Sequence, residues 1–168
     1  MKHKSRVVGV SPTAFETEYL EKQVMANQEE HYIINPQHDV LYIDLKGTWS
    51  PDQTLEYVAD YKRLANRYFT QEWACVMNLQ SLDLLLSESF QIETFKALNA
   101  WSYIKGMRSV AVIISNSNRS HLLYQFEEVF KVNHPYETQV CFSPIQANQW
   151  LNDQGFTQKQ RKLSRETA

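Results

Sequence analysis

Three short apolar runs, at residues 73–79, 109–114 and 139–142, alternate with longer segments whose apolar residues return every three or four positions. A run that is apolar at successive positions must be covered on both faces, as the inner strands of a parallel sheet are. A segment with helical spacing has one apolar stripe to bury and can supply that cover. The alternation therefore demands a layered α/β domain. At 168 residues the chain is long enough to close one core without a disulfide or a metal.

The individual elements follow from local chemistry. Residues 31–34 read as a strand stopped by Asn35-Pro36, and residues 40–47 as a second strand. The short turn between them, Pro36-Gln37-His38-Asp39, makes the pair an antiparallel hairpin. Ser50-Pro51-Asp52-Gln53 reads as a helix start, with a Ser cap, Pro at the first position and Gln placed to complete a capping box. Leu55, Val58, Tyr61, Ala65 and Tyr68 then form its inward stripe. A second helix is expected from about Ser87 to Tyr103, with Ile92, Phe95, Leu98 and Trp101 inward. A third is expected after the caps at 115–118, carrying Leu122, Leu123, Phe126, Val129 and Phe130. Ser143-Pro144-Ile145-Gln146 repeats the helix-start signature, Ala147, Trp150 and Leu151 face inward, and Gly155 closes that helix. The expected order is β-β-α-β-α-β-α-β-α, a mixed, mostly parallel sheet, occupying residues 31–156 as one domain. Residues 1–30 form an N-terminal extension with room for one helix from Ser11-Pro12, bearing Phe15 and Tyr19; it can dock or remain a free arm. Residues 157–168 read as a disordered polar tail.

Several kinds of chemistry lack their usual residues. Gly9, Gly47, Gly106 and Gly155 are too scattered to build a phosphate-cradling loop, and neither G-x-G-x-x-G nor G-x-x-x-x-G-K-[ST] occurs. The five histidines have no metal-ligand spacing, and no G-x-S-x-G or C-x-x-C is present. Cys75 and Cys141 lie in apolar runs and are expected to be buried and reduced. A net charge of −2 gives no global pull toward nucleic acid, and the basic tail from Lys159 to Arg165 has no interleaved aromatic to stack bases. No apolar stretch is long enough for a membrane span or a signal-peptide core, so the expected address is the cytoplasm. No cofactor and no metal are expected.

The carboxyl ends of the parallel strands are where an open α/β sheet would take a ligand. Three loops are expected there, at 47–50, 80–89 and 115–118. Trp49, Ser50, Ser115 and Asn116 are the candidate ligand residues of the first and third. The hydroxyls and amides are foremost helix caps that could also meet an anion. Trp49 either anchors a partner or folds down onto the first helix from just before the Ser50 cap.

The strand and helix order over residues 31–156, about three quarters of the chain, resembles the SpoIIAA-like/STAS superfamily. That is the fold of anti-sigma-factor antagonists and of the cytoplasmic domains of sulfate transporters. The stretch from Val140-Cys141-Phe142-Ser143-Pro144 to Trp150-Leu151 is similar to the family's last strand and helix with their Trp-Leu ending. Antagonists of this family carry a D-L-S…D-S-S-G stretch after the third strand, and its first Ser of the D-S-S triplet is phosphorylated by a partner kinase. Here the stretch is Asn78-Leu79-Gln80 through Leu86-Ser87-Glu88-Ser89. Ser87 holds the phosphoacceptor position, but Leu86 stands for the Asp, Glu88 for the second Ser and Ser89 for the Gly. Glu88 would repel a phosphate on Ser87. The resemblance implies a non-enzymatic regulatory or protein-interaction domain. Its partner is expected to be a protein docking near Leu85, Ser87, Glu88 and Ser89, with a homodimer also compatible. A divergent branch with larger apolar loops is grouped with lipid-binding SEC14-like domains. Leu82, Leu84, Leu85 and Leu86 fit that variation, so the alternative is a small-molecule or lipid binder with an apolar pocket under residues 82–86. A third reading is an enzyme whose site assembles from distant residues.

Overall fold

The computed structural model describes residues 31–85, 88–116, 129 and 136–156. Within them a five-stranded sheet is built in chain order: β1 (Tyr32–Gln37), β2 (Val40–Trp49), β3 (Trp73–Leu85), β4 (Met107–Ile113) and β5 (Glu137–Cys141). The helices are α1 (Pro51–Tyr68), α2 (Glu88–Ile104) and α3 (Pro144–Asp153). β1 pairs antiparallel with β2, and every later neighbour is parallel. The hairpin turns on two residues, with His38 at φ 53°, in the left-handed region that His tolerates better than most side chains. Pro36, which cannot donate to a ladder, sits on the edge strand β1.

The pleat separates two cores. Tyr32, Ile34, Leu41, Ile43, Leu45, Cys75, Met77, Val110 and Val112 point to the first face, where α1 and α2 pack and where the helical residue Val129 also lies. The second face presents Val40, Ala74, Val76, Ala111, Ile113 and Cys141 to Ala147 and Leu151 of α3 and to Phe156. A parallel sheet in strict chain order, joined by right-handed crossovers, sends every crossover to the same side. The helix α3, which follows the last described strand, packs on the opposite side.

Three expectations are corrected. The segments read as loops at 47–50 and 80–89 are largely strand: Lys46, Gly47, Thr48 and Trp49 pair with Ser81, Leu82, Leu84 and Leu85. Two register shifts and the left-handed backbone of Gly47 (φ 69°) let β2 and β3 run on together as a ribbon beyond the rest of the sheet. Leu55 does not face inward; it is 51% exposed. The buried row of α1 is Thr54, Tyr57, Tyr61, Leu64 and Ala65. The larger rings of Tyr57 and Tyr61 hold the core side, and the Thr54 hydroxyl becomes acceptable there by donating to the Ser50 carbonyl at 3.1 Å. The last strand begins earlier than expected, at Glu137. The expected third helix lies outside the described residues except for Val129. The N-terminal extension and the polar tail lie outside them altogether.

Candidate functional site

The first turns of α1 and α2 meet at the carboxyl end of the sheet, and the capping chemistry explains how. Ser50 caps α1: its hydroxyl accepts from the Gln53 amide at 3.3 Å, and its own amide donates to Gln53 Oε1 at 2.8 Å. Trp49, just before the cap, turns inward and is fully buried. Its indole lies 5.4 Å from Tyr57 and 5.9 Å from Tyr32, and Nε1 donates to the Lys46 carbonyl at 2.8 Å. Both the apolar body and the N–H of the side chain are therefore used within the domain. In this arrangement Trp49 and Ser50 serve the fold.

Gln91, a residue to which the sequence drew no attention, joins the two helices. It is fully buried, and its Nε2 donates to Thr54 Oγ1 at 2.8 Å, to the Trp49 carbonyl at 3.0 Å and to the Ser50 carbonyl at 3.3 Å. Two N–H bonds shared among three acceptors make a polar latch across a dry contact. The latch fixes what the first turn of α2 presents. Glu88 and Ser89 are exposed, and Phe90 keeps 40% of its surface in solvent. Leu55, one residue beyond the Thr54 acceptor, is exposed as well. The first turns of the two latched helices thus expose two apolar side chains, a carboxylate and a hydroxyl. Asp52, in the first turn of α1, is exposed as well.

The remaining candidates distribute unevenly. Leu85 belongs to β3 and pairs with Trp49. Ser87 and Leu86 lie outside the described residues. Ser115 is half-buried and Asn116 exposed, just past β4. Leu82 is buried in the first-face core as a strand residue. A groove of about 480 Å³ opens elsewhere, between β5 and α3, and is lined by Val140, Phe142, Ile145, Gln149, Trp150 and Asp153, among others. On the second face Asn78 donates to Asp44 at 2.7 Å and accepts from the Gln80 amide at 3.1 Å.

Burial governs the shifted titrating groups. It pushes the Cys75 and Cys141 thiols up, which disfavours the nucleophilic thiolate. Tyr57 and Tyr61 are pushed well above the usual phenol value by burial, and Tyr136 up to about 12. Both cysteines are buried and free of disulfide. Among the described residues no three His, Cys, Asp or Glu side chains gather closely enough to hold a metal ion, and no helix is long and apolar enough to cross a membrane.

No family model matches this sequence, and no curated protein matches it. Solved structures do match in shape. An uncharacterized protein of the DUF3478 family with a SpoIIAA-like fold, from Shewanella loihica PV-4, aligns over 71% of this chain and 91% of its own, with 16% identity and a TM-score of 0.51. SpoIIAA, the Bacillus cell fate determinant, in its phosphorylated form aligns over 71% of this chain and 98% of its own, with 14% identity and a TM-score of 0.43. The first of these likenesses assigns the class: the chain has a SpoIIAA-like fold, as its strand order implies.

Proposed function

We propose that this chain is a non-catalytic regulatory domain that binds a protein partner through the paired starts of α1 and α2. The observation that carries the reading is the latched surface itself. Gln91 ties the first turn of α2 to that of α1, and these turns expose Leu55, Phe90, Ser89 and the carboxylates of Asp52 and Glu88. Interfaces of this kind draw their energy from a few apolar anchors and their selectivity from the surrounding charge. Asp52 and Glu88, both in those first turns, favour a basic partner. The SpoIIAA-like fold supports a regulatory role, and the raised thiol and phenol pKa values support a binding role over nucleophilic chemistry. The cytoplasm is the proposed setting for this partner.

The test is affinity purification from the native host with the wild type and with Glu88→Lys combined with Phe90→Ala. Loss of a partner that the wild type retains, with the melting temperature unchanged, supports the surface. Equal recovery of the same partners by both proteins refutes it.

A second reading, binding of a small molecule, is favoured by the groove between β5 and α3. Its volume of about 480 Å³ is in the range of small-molecule sites. A ligand-induced rise in melting temperature that Ile145→Glu removes would support it. No rise across a metabolite and lipid panel would end it.

A further inference from the structure

The opposite end of the domain carries a different chemistry. Five of the seven Lys and Arg side chains among the described residues, Lys62, Arg63, Arg67, Lys105 and Arg108, lie in the second half of α1, just after α2 or at the start of β4. The whole chain is nevertheless slightly acidic, with a net charge of −2. Two of the five, Arg63 and Arg108, are in ion pairs with Asp60 and Glu72. Lys62 and Lys105 are in no ion pair among the described residues. Both instead stand over one indole, with Nζ at 5.5 Å and 5.8 Å from the centre of Trp101. Arg108 lies over Tyr103 in the same way, at 5.0 Å. Beside them Ile104 leaves 79% of its surface in water.

The field of a helix C-terminus accounts for a cation in the last turn, such as Arg67. It does not account for two ammonium groups on a single half-exposed indole, nor for the exposed aliphatic side chain of Ile104 next to Lys105 in sequence. Two like charges on one ring add to the local positive potential, and an opposing carboxylate relieves it. Trp, Tyr and Arg are also the side chains that concentrate binding energy at protein interfaces.

We propose that Lys62, Trp101, Ile104 and Lys105 form a second docking surface, for an acidic protein segment carrying an apolar residue. The segment's carboxylates meet the two lysines, and its apolar residue covers Ile104. An anionic membrane surface is the other chemistry that positive charge attracts. Sequence-readable lipid recognition, however, uses clusters of four to eight cations, and stable attachment needs more apolar insertion than a single aliphatic side chain gives. Two lysines without an ion pair among the described residues and one exposed isoleucine suit a short peptide better. This surface lies about 24 Å along α2 from Glu88, so it is separate from the site proposed above and does not depend on it. A domain with an acidic docking end and a basic one would bridge two partners.

The test uses the full chain, the acetylated peptide Glu-Glu-Leu-Glu-Glu-Leu and vesicles of mixed phosphatidylserine and phosphatidylcholine. Amide chemical-shift mapping in about 25 mM salt should place the peptide at Lys62, Trp101, Ile104 and Lys105. Raising salt to about 300 mM should weaken binding at least fivefold, because the exposed charges become screened. Charge reversal with Lys62→Glu and Lys105→Glu should weaken it at least tenfold, and Ile104→Ala by about threefold. Both variants change side chains on the surface, and the wild-type shift map decides alone if either fails to fold. Absence of shifts at this end, peptide binding that survives the double reversal, or sedimentation with vesicles without peptide binding would each overturn the proposal.

Discussion

Two tyrosines on one helix face show how much a single hydroxyl can decide. Tyr57 and Tyr61 are both buried, one turn apart on α1, with rings 5.9 Å apart. The Tyr61 hydroxyl is 2.9 Å from Ser102 Oγ and 3.9 Å from the Met107 sulfur. The Tyr57 hydroxyl is buried with no hydrogen-bond partner among the described residues. A buried hydroxyl without a partner costs its desolvation and gains nothing in return, whereas a bonded one contributes about 1 kcal/mol net. Tyr57→Phe should therefore leave stability unchanged or raise it by up to about 1 kcal/mol, and Tyr61→Phe should lower it by about 1 kcal/mol. Urea unfolding of the pair measures the contrast. Equal losses in both would mean that Tyr57 has a partner, such as an internal water. The same residues show what the sequence conveyed. Tyr61 was legible as inward, but the stripe built on Leu55 pointed one position off. Propensity and polarity rank Leu above Thr as a core residue, and the bond from Thr54 to the Ser50 carbonyl reverses that order locally.

The latch between α1 and α2 acts at the scale of elements. Gln91→Ala removes the donor to the Trp49 carbonyl and the Thr54 hydroxyl and leaves a cavity, so a loss of about 2–3 kcal/mol is expected. Glu88 and Phe90 would lose their fixed presentation with it. Amide exchange in the first turn of α2 should accelerate more than exchange in β4; uniform acceleration would argue against a local latch. The capping box of α1 was legible because all of its parts lie within four residues. Gln91 was not, since a search for apolar periodicity passes over a polar residue; its spacing of four and seven from Phe95 and Leu98 was the available signal. The β2–β3 ribbon was missed for a related reason. Thr48, Ser81 and Asp83 resemble loop residues, yet Leu82 alternates among them and is buried. The basic end was invisible because Lys62 and Lys105 are far apart in sequence and come together only on Trp101.

At the scale of the molecule, buried phenols and thiols set an alkaline limit. Tyr32, Tyr42, Tyr57, Tyr61, Tyr136, Cys75 and Cys141 all have folded pKa values above their usual values of 10.0 and 9.0. The unfolded chain releases these protons first, so the folded state is favoured fully below pH 9 and progressively less above it. Stability in urea should be nearly flat from pH 7 to about 8.5, then fall through pH 10–11 by more than about 1.4 kcal/mol per pH unit, the slope for a single proton. A flat profile to pH 11 would show that these side chains are hydrated in solution. A strictly sequential sheet also has a temporal meaning. Each new strand finds its neighbour already made, so during synthesis the hairpin can template β3, and β3 can template β4, without threading. The strand that closes the groove beside α3 is the last of the five to be added, so that side of the sheet can form only after the other four strands are in place.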